Sequence, residues 1–330
     1  MKIPKRILIS RSDAIGDVIL TLPLASILKQ KFPGVFIGFL GKNYTRAVIE
    51  CCCAVDEFVD VEEFLKATPK DIAEKGQWDA IIHVFPRADI ARKAKQARIP
   101  WRIGTSSRLY NWLYCNKFVK LNRKNSNLHE AQLNAKLLRS FGIDKAFSIE
   151  ELGRLFSFDK IPPLPEHFQQ LLAPGKQHII LHPKSQGSAR EWGLDNFEAL
   201  IRLLPKEQFQ IFISGTKQEA VLLQPLFEHI GEMVTDISGQ MDLNEFIAFI
   251  DACDALVAAS TGPLHIAAAL GKKAIGIYPS IRPMHPGRWA PLGAKAVALS
   301  LKESCELCRK EPSDCSCIQG ISAERVVGEL

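Results

Sequence analysis

The feature that most restricts this chain is an alternation that runs along it twice. Short runs rich in Val, Ile, Leu and Phe are separated by segments with helical spacing. In the first half the runs are RILISR (6–11), VFIGFLG (35–41), EFVDV (57–61) and AIIHVF (80–85). In the second they are HIILHP (178–183), FQIFISG (209–215), ALVAAS (255–260), AIGIYPS (274–280) and AVALS (296–300). Strands that are apolar on both faces need helices over both faces, which is the arrangement of parallel sheets built from strand-helix-strand units. The pattern predicts an α/β fold of two Rossmann-like, doubly wound domains. A chain of 330 residues is long for one core, and IPPLPEHFQQLLAPGK (161–176) has the Pro and Gly content of a link. The expected domains are therefore 1–165 and 166–330. Ligands are expected where the carboxyl ends of the strands face a cleft.

Charge separates the two halves more sharply than the net value of +6 suggests. Residues 1–165 hold 27 Lys and Arg against 17 Asp and Glu, and the remainder 15 against 19. The first half is the one that should attract an anion. Between Arg87 and Lys124 there are 11 basic residues against the single acid Asp89, interleaved with Trp101, Tyr110, Trp112 and Tyr114. This stretch reads as a solvated basic face, as a surface for an anionic lipid or glycan, or as a nucleic-acid contact. The absence of a helix-turn-helix or RNP-like pattern weighs against the last. The N-terminus has no uninterrupted apolar stretch before Arg11, Asp13 and Asp17, so no secretory signal is expected. No apolar run reaches the roughly 18 residues of a bilayer span. A cytoplasmic protein is expected, with peripheral contact at the inner face of the cytoplasmic membrane. Nine Cys then read as reduced thiols. Cys305, Cys308, Cys315 and Cys317 have C-x2-C and C-x-C spacing that could hold structural zinc, but the second pair is tight and no His is near. A thiol cluster is the expectation there.

Neither half carries G-x-G-x-x-G or a Walker loop, so any phosphate must be held by other junctions. After the first strand, Gly16 allows a sharp turn and Asp17 stands near the start of a helix expected to run through Leu28. Asp17 reads as a general base kept ionised by the helix dipole, or as a first-turn acid complementing that dipole, with Asp13 competing for either task. In HPKSQGSAREWGLDNF, Ser185 and Arg190 suit a diphosphate cradle, and Asp195 reads as the N-cap of the next helix. Gly215 and Thr216 end another strand. Met241 precedes a capping box of Asp242 and Glu245 and suits either the core or contact with a purine. In STGPLHIAAALG, Gly262 gives a turn and Pro263 a helix start. The free N–H groups there make an anion site, to which Ser260, Thr261 and His265 add donors. His265 alone would read as a core histidine. The loop YPSIRPMHPGRWAPLG (278–293), with Arg282, His285, Arg288 and Trp289, reads as a lid or a wall for a sugar.

The segments GDVILTLP, HPKSQGSAREW, SGTKQEA and STGPLHIAAALG, in this order, resemble the heptosyltransferase family, the glycosyltransferase family 9 enzymes of lipopolysaccharide assembly. The resemblance implies a GT-B architecture of two Rossmann-like domains facing a central cleft. It implies an N-terminal domain for the acceptor and a C-terminal domain for a nucleotide sugar, usually ADP-heptose. It also implies inversion at the anomeric carbon without a metal or other cofactor. Asp17 matches the family's general base, and Gly16, Arg92, Arg98, Arg102 and Arg108 are the implied acceptor contacts. Ser185, Arg190, Gly215, Thr216, Met241, Ser260, Thr261, Gly262 and His265 are the implied donor contacts, with Arg190 replacing a Lys. Ser260 stands where many members have Asp, so the sugar is open. The implied partners are a nucleotide sugar, an anionic lipid-linked glycan and the inner membrane surface, with no nucleic acid. The alternatives are a GT-B enzyme using a different nucleotide sugar and glycan, and a sugar-nucleotide-binding protein without catalysis.

Overall fold

The computed structural model describes residues 4–123, 125–301 and 316–330. The chain divides into two compact units between Lys160 and Ile161, five residues before the division read from the sequence. The first unit contains β1 (Arg6–Ser10), β2 (Phe36–Gly41), β3 (Glu57–Asp60), β4 (Ala80–His83), β5 (Trp101–Thr105) and β6 (Lys117–Val119). They form one sheet in the order β3-β2-β1-β4-β5-β6, with every neighbouring pair parallel. The second unit contains β7 (Gln177–His182), β8 (Phe209–Ile213), β9 (Thr235–Asp236), β10 (Ala255–Ala259), β11 (Lys273–Ile277) and β12 (Ala296–Leu299). Its order is β12-β11-β10-β7-β8-β9, again all parallel. Counted from its own first strand, each sheet has the Rossmann order 3-2-1-4-5-6.

All the expected strands form, and all except VFIGFLG end one to three residues early. The residues left over, such as Arg11, Pro183, Gly215 and Ser260, begin the loops at the carboxyl edge. Three strands were not anticipated: β5, β6 and β9. WRIGT and KFV lie inside the basic stretch, where Arg102, Gly104 and Lys117 interrupt the apolar signal, and β9 is only two residues long.

Two expectations about helices are corrected. The helix after β1 does not run through Leu28 but covers Ile15–Ile19, and a second covers Pro23–Lys31. Pro23 has no N–H to offer Ile19, and the chain between tightens into bonds from Thr21 N to Val18 O and from Leu24 N to Thr21 O. The freed carbonyl of Leu20 accepts from Asn134 Nδ2 at 3.1 Å. Asp195 is not an N-cap: the Leu194–Leu203 helix starts from Gly193, whose φ of 99° suits glycine, and Asp195 lies in the first turn. The Asp242 and Glu245 capping box does form. In the second unit the indole of Trp192 is fully buried and donates to Ile321 O at 2.8 Å, tying residues 316–330 to the sheet. Among the described residues no helix is long and apolar enough to cross a membrane.

Candidate active site

In a doubly wound sheet the crevice opens where the strand order reverses, at the carboxyl ends of two adjacent strands whose connections leave in opposite directions. Here that point lies between β1 and β4 in the first unit and between β7 and β10 in the second. The motif residues after β1, β7 and β10 all belong to one or other of these two junctions.

The first junction is a buried knot of charge. Arg11, 3% exposed, leaves β1 and its guanidinium reaches three carboxylates: Asp13 through Nε at 2.6 Å, Glu130 through Nη1 at 3.0 Å, and Oδ1 of Asp17 through Nη2. Glu130 is also paired with Arg123, which in turn donates to Asn134 Oδ1 at 2.9 Å. Two guanidinium groups therefore face three carboxylates, and one negative charge stays unbalanced. Asp17 carries that imbalance. Burial raises its pKa to about 6, against the opposing pull of Arg11, and the charges of Asp13 and Glu130 raise it further. Asp17 is third in a five-residue helix without a side-chain cap; burial raises its proton affinity, and with a pKa of about 6 it is still mostly ionised at neutral pH. A carboxylate poised near 6 is well suited to accept a proton near neutral pH. Beside it, in register on β1 and β4, lie Ser10 and His83, both fully buried. Neither Ser10 Oγ nor either ring nitrogen of His83 has a hydrogen-bond partner among the described residues. Burial pushes the His83 pKa down to about 4, so the ring is neutral.

The second junction carries no carboxylate knot: it combines neutral groups with one guanidinium. The Gly262–Ala269 helix starts at Thr261, whose side chain does not cap it. Thr261 is 5% exposed and its Oγ1 has no hydrogen-bond partner among the described residues. An N-cap hydroxyl normally accepts from the first turn; here those N–H groups and the hydroxyl are both left for something else. His265 is buried one turn further on, and Ser260 lies beside the Tyr278 hydroxyl, which donates to Trp289 O at 2.6 Å. Across the junction, Nε of Arg190 is also buried without a partner among the described residues. His182, at the end of β7, is held neutral by burial and shares a 3.0 Å hydrogen bond with Ser214 Oγ.

Several expected contacts have other tasks. The Ser185 hydroxyl proton is already placed between Ala189 O and Glu191 Oε1, at 3.0 and 3.1 Å, and Glu191 also pairs with Lys184 at 2.6 Å. Ser185 shapes the loop. Thr216 caps the Lys217–Ile230 helix in a capping box with Glu219, and accepts from Gln186 Nε2 at 2.9 Å. Gly215 leaves Glu219 Cβ only 3.3 Å from where its own Cβ would stand, and Met241 is half-buried before the Asp242 cap. Gly16 sits in the Ile15–Ile19 turn beside Asp17. Of the basic residues, Arg108 follows β5 at the carboxyl edge, and Arg92 is exposed midway along the Ala88–Gln96 helix. Arg98 and Arg102 are not brought near Asp17: they lie just before and at the start of β5, the opposite edge of the sheet. Arg102 instead donates to Tyr114 O and Ile99 O at 2.7 and 2.6 Å.

Sequence reading missed Arg11, Arg123, Glu130 and His182. Arg11 carried a usable signal, a lone Arg directly after an apolar strand, but its partner Glu130 is 119 residues away. Cys305, Cys308 and Cys315 lie outside the described residues, and Cys317 is buried. Among the described residues no group of three His, Cys, Asp or Glu side chains is arranged to hold a metal ion.

Two Rossmann-type sheets of the same order, each with functional groups at its reversal point, have the architecture of a GT-B glycosyltransferase. The chain belongs to glycosyltransferase family 9 (heptosyltransferase), whose model matches residues 94–319. It is 24% identical over 318 residues to a lipooligosaccharide heptosyltransferase 2 of Haemophilus ducreyi, covering 90% of this chain and 88% of that one. The fold is shared with a glycosyl transferase family 9 protein of Veillonella parvula, at a TM-score of 0.80 and 20% identity, covering 98% and 95% of the two chains. It is shared also with the ADP-heptose LPS heptosyltransferase II of Escherichia coli, at a TM-score of 0.74 and 20% identity, covering 98% and 97%.

Proposed function

We propose that the protein transfers a heptose from ADP-heptose to an anionic, lipid-linked inner-core acceptor of lipopolysaccharide, by direct displacement with inversion and without a metal. The acceptor hydroxyl gives its proton to Asp17 as its oxygen bonds to the anomeric carbon. The bond from that carbon to the diphosphate breaks, and its electron pair leaves on ADP. The growing negative charge is met by the Arg190 guanidinium and the free N–H groups at Gly262, which stabilise the diphosphate more as the bond lengthens. His265 and Met241 are the further donor contacts in this reading, to the sugar or phosphate and to the adenine. Family membership and the ADP-heptose named for the Escherichia coli relative support the choice of donor.

The observation that carries the reading is the uncapped helix at Thr261, where a buried hydroxyl and a helix N-terminus have no partner among the described residues. Calorimetric titration with ADP, UDP and GDP tests it. Selective ADP binding that weakens in Arg190→Ala supports it. Preference for UDP or GDP leaves the enzyme class and removes the heptose donor, and binding of none removes the phosphate site. Transfer that is abolished by a chelator and restored by a divalent cation would overturn the metal-free step.

A further inference from the structure

The Leu109–Tyr114 helix is amphipathic the wrong way round. Its positions Leu109, Trp112 and Leu113, spaced i, i+3 and i+4 on one face, are 89%, 59% and 64% exposed. The residue it buries completely is Asn111, whose Nδ2 donates to Thr105 O at 2.8 Å. A helix that hides its amide and shows Leu, Trp and Leu to solvent is not folded for water. The apolar face continues onto β6, where the half-exposed Phe118 ring stacks on Trp112 at 4.6 Å.

A collar of positive charge surrounds this face. Arg108 precedes the helix and is exposed, and Lys95 Nζ donates to Leu113 O at 2.8 Å. Arg92 lies 5.9 Å from the Tyr114 ring. Asp89, the one acid between residues 87 and 124, is already paired with Arg87. From the exposed apolar face and its basic collar we infer that this helix is a membrane-surface anchor, which seats Leu109, Trp112 and Leu113 among the acyl chains of an anionic phospholipid bilayer. The flanking cations engage the headgroups. A six-residue helix is about 9 Å long, so it lies in the interface and does not span it. A second copy of the same surface would bring like charges together, and nucleic acid would leave the Leu and Trp face uncovered. The anchor does not depend on which sugar is transferred.

Sedimentation of the full chain with vesicles tests this. Binding is expected to vesicles of phosphatidylcholine mixed with phosphatidylglycerol, and to be weak with phosphatidylcholine alone. It is expected to fall about tenfold or more in the double variant Leu109→Ser, Leu113→Ser, since each loses apolar area that would enter the bilayer. It should fall with rising salt, and also in Lys95→Glu, Arg108→Glu. Trp112 should shift its fluorescence to shorter wavelength on mixed vesicles, a change absent in Trp112→Phe. Leu109 and Leu113 are exposed, so circular dichroism melting of the Leu variants should be unchanged. ADP titration of the same variants reads the donor site separately: intact ADP binding with lost vesicle binding supports the anchor. No binding of the parent chain to mixed vesicles overturns it. So does binding that the Leu variants leave unchanged, or a dimer of the parent chain that the Leu variants disperse.

Discussion

The two reversal points share a topology and differ in chemistry. Between β1 and β4 the chain places three carboxylates and two guanidinium groups, nearly every one already engaged by another. Between β7 and β10 it places a hydroxyl, an arginine Nε and a helix N-terminus that nothing among the described residues satisfies. In the first arrangement the charged groups answer one another; in the second the polar groups at the helix start and on Arg190 do not. The same frame can therefore carry different chemistry, depending on whether the junction residues answer one another.

The sharpest way to break the comparison is at Asp17. In Asp17→Asn the transfer rate should fall by about 10²- to 10⁴-fold, with ADP affinity unchanged; loss of ADP binding instead would mean the two junctions are not separate in task. The same variant should melt higher at neutral pH. The folded-state pKa of about 6 lies above the ordinary 3.8, so the ionised form is disfavoured by folding at any pH above 6. That penalty is relieved as pH falls from 6 toward 3.8. Removing the charge relieves it at pH 7, by on the order of 1 kcal/mol or more.

Next in size is Arg11. Arg11→Met leaves Asp13, Asp17 and Glu130 facing one another with only Arg123 to balance them, and should cost about 3–5 kcal/mol of stability in a denaturant titration. Arg11→Lys keeps a charge but cannot reach three acids through a planar fork, and should move the acid limb of the rate profile to higher pH. A profile left in place by Arg11→Lys would show that Arg11 does not set the proton affinity of Asp17.

Smaller effects are expected at the second junction. Arg190→Ala should weaken ADP binding by roughly 10- to 100-fold, the range of a charge-assisted contact, with little change in melting. Thr261→Val should weaken it by only about 5-fold, one neutral hydrogen bond. It should leave the fold as stable or slightly more so, because the hydroxyl it removes is buried and unpaired. A marked loss of stability in Thr261→Val would show that this hydroxyl is part of the fold. The gentlest test is pH itself. Transfer should fall as pH drops below about 6, tenfold per unit well below it.

How far this was legible in the sequence follows from the range of the interactions. The strands were legible because parallel pairing demands unbroken apolar runs, and the Thr261 junction because its turn, helix start and hydroxyls are adjacent in the chain. The knot around Arg11 was not, since Asp13 is two residues away but Glu130 and Arg123 come from beyond β6. Asp17 was named from its motif, yet its proton affinity depends on burial and on neighbours no local pattern shows. Ser185 and Thr216 were given to the ligand because small hydroxylic residues look alike in a sequence whether they shape a loop, cap a helix or face a phosphate. The membrane-facing reading of residues 87–124 needed the structure to separate Asn111, turned inward, from Trp112 and Leu113, turned outward.

The interruption between Ile15–Ile19 and Pro23–Lys31 bears on how Asp17 is held. A continuous helix would pass any tilt or slide along its backbone ladder to the residue near its start. Here that ladder is cut at Pro23, and the short turn is instead moored sideways, through Thr21 Oγ1 to Asp17 O at 2.8 Å and through Asn134 to Leu20. The Asp17 turn is thereby tied to its surroundings through side chains, one of them from residue 134 far along the chain, and not only through the helix that follows it.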